Sequence, residues 1–127
     1  MDQKARRAAI TKALKAGGAK ARRGHLRLQA GEVFWYVDVR ADSPAPSAAL
    51  VFEVGAWLPA AGPEPDGGAI DCPLLADVPV GADPAAATAD LLALLTPVTD
   101  PAALRALIDA DTLSGALVDQ QLRALLV

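Results

Sequence analysis

The chain has one cysteine and one histidine, and together they are its only nominees for covalent chemistry: Cys72, followed by Pro73, as a nucleophile and His25 as its base. A thiol attacks as the thiolate, so such a pair needs the imidazole beside the sulfur and a third group to orient the ring. Nothing in the spacing brings the two together or names the third group. A lone cysteine among apolar residues is ordinarily small core filling, and no catalytic residue is assigned. With single copies of His and Cys there is no Cys-x-x-Cys or His-x-x-x-His pair for a metal. The acids Glu64, Asp66, Asp71, Asp77 and Asp83 lack the regular oxygen spacing of a calcium loop, so they read as solvated loop charge. Gly17-Gly18 follows a helix, and Gly67-Gly68 has neither a neighbouring lysine nor a strand-loop-helix setting, so neither is a phosphate cradle. There is no Gly-x-Ser-x-Gly elbow. No cofactor or metal is expected.

Recognition chemistry is better represented. Strand alternation puts Arg23, His25, Arg27, Phe34, Tyr36, Arg40 and Trp57 on one face of a sheet. Rings beside arginines offer single-stranded nucleic acid stacking surfaces for bases and cations for phosphates. Asp38 and Glu53 fall on the same face, where they would repel phosphate and pair with Arg27 or Arg40. The competing reading therefore packs this face beneath C-terminal helices or in a dimer.

Charge is divided along the chain. The first 27 residues hold nine bases and one acid, and the remaining hundred hold three bases and fourteen acids. Such a block meets nucleic acid, an acidic partner or the chain's own acidic face. In the last case the positive side of the first helix lies against the acids between Glu64 and Asp83, at about 0–1 kcal/mol per surface pair. Membrane binding is not expected, because Ile10 and Leu14 are too small an apolar anchor. No apolar run approaches the ~18 residues of a membrane span, and Met1 to Arg23 lacks a signal peptide's apolar segment. These features lead us to expect one cytoplasmic domain over residues 1–127.

The elements follow from period and punctuation. Asp2 N-caps a first helix that ends at Gly17-Gly18, with Ile10, Leu14 and several alanines on one side and Lys4, Arg7, Lys12 and Lys15 on the other. Arg6 falls within the apolar arc, in the first turn, where it reaches water. From Lys20 the period becomes two, with Leu26 and Leu28 inward. Ala30-Gly31 forms a hairpin tip, and 33–40 is the best strand in the chain. Ser43-Pro44-Ala45-Pro46-Ser47 makes the next turn, and 50–58 is a further strand with Leu50, Phe52, Val54, Ala56 and Leu58 inward. Residues 59–68 read as a loop too poor in apolar residues to pack, with a short fourth strand around Ala69-Cys72. Asp83-Pro84 and Asp100-Pro101 each open a helix with an N-cap and a proline at the first helical position. A last helix runs from about Asp111. The fold class is α+β: an N-terminal helix, an antiparallel meander of three to four strands, and two to three C-terminal helices.

From about Ala8 to Pro59 the chain resembles a family of small, mainly bacterial domains known as domain of unknown function forty-three-oh-four. The resemblance rests on the leading helix at 10–14, the segment Gly18-Ala19-Lys20-Ala21-Arg22-Arg23, the strand His25-Leu26-Arg27, the aromatic-rich Trp35-Tyr36-Val37-Asp38-Val39-Arg40 and Leu50-Val51-Phe52-Glu53-Val54-Gly55. Ala19 stands where that family usually has an aromatic residue, and Arg40 where glutamine is common. The resemblance implies an α+β domain with a helix and a meander, and no catalytic residues.

Leu91, Leu92, Leu94 and Leu95 point nearly all round their helix, and the sequence finishes Leu125-Leu126-Val127. Apolar surface on every side means burial in the middle or contact with another chain. Leu94, Leu95, Leu125 and Leu126 are therefore interface candidates. The leading expectation is a non-enzymatic protein-interaction module, an accessory or immunity-type protein that binds another protein or a second copy of itself. The alternative is a nucleic-acid binder that uses the basic N-terminal block and Arg23, His25, Arg27, Phe34, Tyr36 and Trp57.

Overall fold

Strand alternation gives one sheet with two unlike faces in the computed structural model, which describes residues 2–127. Helix α1 (Gln3–Ala16) leads into strands β1 (Lys20–Arg22), β2 (His25–Ala30), β3 (Val33–Ala41), β4 (Leu50–Trp57) and β5 (Leu74–Pro79). Helices α2 (Pro84–Leu95) and α3 (Pro101–Asp109), strand β6 (Leu117–Val118) and helix α4 (Gln120–Leu125) complete the chain. The strands pair antiparallel in the order β1-β2-β3-β4-β5-β6, an uninterrupted meander.

The architecture is the expected one, with more strands. The run after Lys20 is a hairpin instead of a single strand, because Arg23 and Gly24 both take positive φ (53° and 80°) and reverse the chain in two residues. The Ala30-Gly31 tip is in place, since Ala30 pairs with Val33 and Gly31 takes φ 58°. Around Ala69 the chain forms a 3₁₀ turn (Ala69–Asp71), and the strand begins only after Pro73. Pro79 is tolerated at the end of β5 because β6 pairs only with Leu74 and Leu75. The last helix is much shorter than expected: residues 111–116 turn into β6, and α4 starts after its own N-cap, Asp119.

Aspartate caps set the helix starts. Asp2, Asp83, Asp100 and Asp119 accept from the backbone N–H groups of Ala5, Ala86, Ala103 and Leu122 at 2.8–3.1 Å. Helix α1 is also tied to the β3–β4 loop and to β3 itself: Gln3 N–H donates to Pro46 O at 2.7 Å, and Arg7 donates to Val39 O at 2.9 Å. Arg6 turns to the carbonyls of Pro46 and Ala48 instead of to water.

The helices cover one face. Ile10 and Leu14 of α1, Leu91 and Leu95 of α2, Leu104 and Leu107 of α3 and Leu122 of α4 share a core with Leu28, Trp35, Val37, Phe52 and Val54 of the sheet. At about 1.5–3 kcal/mol for each large apolar side chain buried, this is the main source of stability. Leu92 of α2 rests against Gly17 at the end of α1. No helix among the described residues is long and apolar enough to cross a membrane.

The opposite face is covered by a strap, residues 59–72, and not by helices. Tyr36, Trp57, Ala69 and Cys72 form a second buried cluster there, flanked by Phe34 and Leu75. Residues 59–68, expected not to pack, add only the half-buried Ala61 to the edge of this cluster, and the strap's buried apolar residues, Ala69 and Cys72, follow them. Gly55 of β4 permits the approach: a Cβ at that position would lie 2.7 Å from Ala69 O, 2.7 Å from Cys72 Sγ and 2.8 Å from Ala69 Cα. Backbone cannot yield as a flexible side chain would, so Gly55→Ala is expected to destabilise the fold by about 2 kcal/mol or more, within the range for overpacking. Urea denaturation of the two proteins measures it, and an unchanged midpoint would contradict this packing.

Candidate functional site

The strand register arranges the strap-side face in rows. One runs Lys20, Arg27, Tyr36, Gly55, Leu75, Leu117, and the next contains Arg22 and His25, then Asp38, Glu53 and Asp77. A third holds Gln29, Phe34 and Trp57. Arg27, Tyr36 and Arg22 converge on one carboxylate from the strap, that of Glu64, which is 15% exposed.

Arg27 meets Glu64 side-on: Nη2 donates to Oε1 at 2.8 Å, and Nε lies 2.8 Å from Oε2. Tyr36 Oη donates to Oε2 at 2.5 Å, and Arg22 Nε is 3.4 Å from the same oxygen. Arg22 also donates to Tyr36 Oη at 2.9 Å, to Pro65 O at 2.7 Å and to Asp66 Oδ1 at 3.1 Å. The Arg27 guanidinium carbon stands 4.2 Å above the Phe34 ring, a cation–π contact that fixes its plane. Phe34 in turn meets Trp57, with ring centroids 5.1 Å apart. Trp57 Nε1 donates to Gly62 O at 3.2 Å. Burial, with the hydrogen bond to Glu64, pushes the Tyr36 phenol up to about 12, against the opposite pull of Arg22.

A second anchor lies further along the strap. His25 Nδ1 is 2.8 Å from Asp38 Oδ1, and Asp38 Oδ2 accepts from Ala69 N–H at 2.9 Å. Cys72 Sγ donates to Gly68 O at 3.5 Å. Burial and the negative charges of Asp38, Asp71 and Glu64 push the Cys72 thiol up to about 12, which keeps it protonated at neutral pH. His25 serves Asp38, and no hydrogen bond joins it to Cys72, so the nucleophile–base pair is not assembled.

The remaining candidates divide. Tyr36 and Trp57 are 0% and 8% exposed beneath the strap, so the open aromatic platform expected for nucleic acid is closed. Arg23 sits exposed at the β1–β2 turn, 3.6 Å from Asp66. Arg40 pairs with Glu53 at 3.5 Å, as expected, and with Asp77 at 2.6 Å. Of the proposed interface leucines, Leu95 and Leu126 belong to the core, Leu95 fully buried and Leu126 with a small edge in a recess beside Val127. Leu94 is half-buried against that core, and only Leu125 is exposed. The basic block is also spent differently from expectation: the strand arginines, not the helix, meet Glu64 and Asp66. Lys4, Lys12, Lys15 and Lys20 are exposed and make no ion pair among the described residues.

Sequence reasoning missed Glu64, Asp66, Arg22 and Leu117. The segment Pro63-Glu64-Pro65-Asp66 does carry a usable signal, because proline after Glu64 holds that residue out of helix and two acids fall within three residues. Only the fold says which bases they meet. The chain is thus an α+β domain with a six-stranded meander, helices on one face and an acid-pinned strap on the other. No family model matches it, and no curated protein or solved structure matches it significantly.

Two measurements check this geometry. Tyr36, the single tyrosine, has its folded-state value raised above the ordinary 10.0. Its contribution to stability is therefore complete below about pH 10 and lost as pH climbs towards 12. Absorbance titration of the phenolate is expected to give a midpoint near 12 in native protein and near 10 in denatured protein, and a native midpoint near 10 would contradict the contact. Cys72 is expected to react with a disulfide reagent at least about thirtyfold more slowly in native than in unfolded protein, because its native thiolate is scarcer, though more nucleophilic, and its sulfur is buried; equal rates would show an accessible sulfur.

Proposed function

We propose that this chain is a non-enzymatic protein-interaction module of the accessory or immunity type, binding another protein or a second copy of itself. The observation that carries the reading is Leu117, which is 70% exposed on the two-residue edge strand. It pairs across the sheet with the half-buried Leu75 and lines a shallow recess with Asp77, Ser114 and Gly115. An apolar cross-strand pair beside the open edge of β6, whose outer backbone groups lack a strand partner, favours contact with another chain. The groups suited to reaction support the same reading, since Cys72, His25 and Tyr36 are all engaged in holding the strap. The resemblance of 8–59 to the family of unknown function is kept as part of this proposal and adds no residue role.

A nucleic-acid reading has one specific observation in its favour, the exposed Lys4, Lys12, Lys15 and Lys20. It asks for stacking on Tyr36 and Trp57, which the strap covers, and we rank it second. Oligonucleotide binding that falls steeply with added salt is its signature.

Leu117→Asp is the direct test. The variant is expected to keep the wild-type circular dichroism and to lose self-association, or retention of a protein partner, by at least about tenfold. Sedimentation at high micromolar concentration and quantitative capture on the immobilised chain read the two cases. A wild-type monomer with no Leu117-dependent capture would refute the reading.

A further inference from the structure

The strap is attached in an unusual way. Its backbone–backbone hydrogen bonds are short-range turns, Ala61 to Leu58, Gly62 to Pro59, Asp71 to Gly68 and Cys72 to Ala69. No backbone–backbone bond joins residues 62–67 to a strand. That stretch is held by side chains of the sheet alone: Trp57 on Gly62, Arg22 on Pro65 and Asp66, and the Arg27–Tyr36–Arg22 group on Glu64. The segment beyond it is anchored separately, by Ala69 against Gly55 and by Ala69 N–H on Asp38. Lifting 62–67 would break no ladder bond and would leave its receptor standing on paired strands.

We infer that the Arg22–Arg27–Tyr36 cradle is a recognition site for an acidic, proline-containing segment of a partner protein, and that Glu64 and Asp66 occupy it as an internal stand-in. The inference rests on the interaction-module reading and specifies the partner's chemistry. Three features select a carboxylate peptide. Arg27 donates to one oxygen of the carboxylate and holds its charge 2.8 Å from the other, Tyr36 donates to that second oxygen, and the guanidinium plane is set by Phe34. Pro65 O and Asp66 show that the cradle reads a short stretch of chain, with a backbone carbonyl and a second acid two residues on. Asp38, Glu53 and Asp77 lie in the adjacent row, where a phosphodiester backbone continuing across the sheet would meet like charge. The tethered strap competes at a high local concentration, so an outside segment gains the site when the strap's acids are neutralised or when the segment carries more of them.

The test uses the full-length double variant Glu64→Gln, Asp66→Asn, and as probe a blocked, fluorescent peptide copying residues 60–68. We expect the variant to bind the peptide at least tenfold more tightly than wild type. Affinity is expected to fall with added salt, to fall at least tenfold for a probe with Gln and Asn in place of its acids, and to disappear on adding Arg27→Gln. A folded variant that ignores the peptide, equal affinity for both probes, equal affinity of variant and wild type, or preference for a single-stranded oligonucleotide would each overturn the inference. If the variant does not fold, wild-type protein with millimolar unlabelled peptide decides the matter. Amide exchange at Gly62 and Gly67 is expected to accelerate several-fold, and unchanged exchange would overturn the inference. Because the probe reads the cradle and not Leu117, its failure would make the strap purely structural and leave the edge-strand proposal standing.

Discussion

A carboxylate removed from water must find cations and hydrogen-bond donors, or it destabilises whatever buries it. Glu64 finds two arginines and a phenol, and most of the strap-side face is organised by that requirement. Arg27 and Tyr36 are cross-strand partners on β2 and β3, so the register that buries Leu28 and Trp35 on one side also sets the two principal donors side by side on the other. Arg22 joins them because the two-residue turn at Arg23-Gly24 folds β1 back beside β2. A one-residue slip in either hairpin would send these groups to the helix side and leave the acid unpaired.

The two faces are therefore stabilised by different means. The helix side is an apolar core to which every helix contributes at least one buried side chain. The strap side has a thin apolar centre, Tyr36, Trp57, Ala69 and Cys72, ringed by ion pairs at Glu64 and Glu53 and by the contact of His25 with Asp38. Exposed ion pairs contribute little, whereas the Glu64 carboxylate is mostly shielded and accepts hydrogen bonds at both oxygens. Polar attachment of this sort gives specificity of position more than strength, and it can be exchanged for an equivalent set of contacts. This difference makes the strap, and not the helical layer, the part of the molecule suited to rearrangement.

Alternation in 25–40 and 50–58 determined by itself which residues face the helices, because side chains on a strand leave in opposite directions by steric necessity. Aspartate followed by proline determined where α2 and α3 begin, and Asp2 where α1 begins, because capping is local chemistry. The two-residue strand β6 was not legible: Leu117 and Val118 carry too few residues for a period, and they become a strand only because Leu74 and Leu75 offer an open edge. The strap's packing was hidden for a related reason. Its apolar content is low, and what lets it dock is an absence, the missing side chain at Gly55, which lies in a strand read as ordinary.

Charge followed the same division. The sequence alone established a basic N-terminal block and an acidic remainder. Tertiary structure decided that Arg22 and Arg27 would serve Glu64, that Arg6 and Arg7 would serve backbone carbonyls, and that the four exposed lysines would remain unpaired among the described residues. Local rules fix what a residue offers and which way it points along its own element. Partners separated by 37 residues, as Arg27 and Glu64 are, are chosen only when the meander closes and brings their elements together.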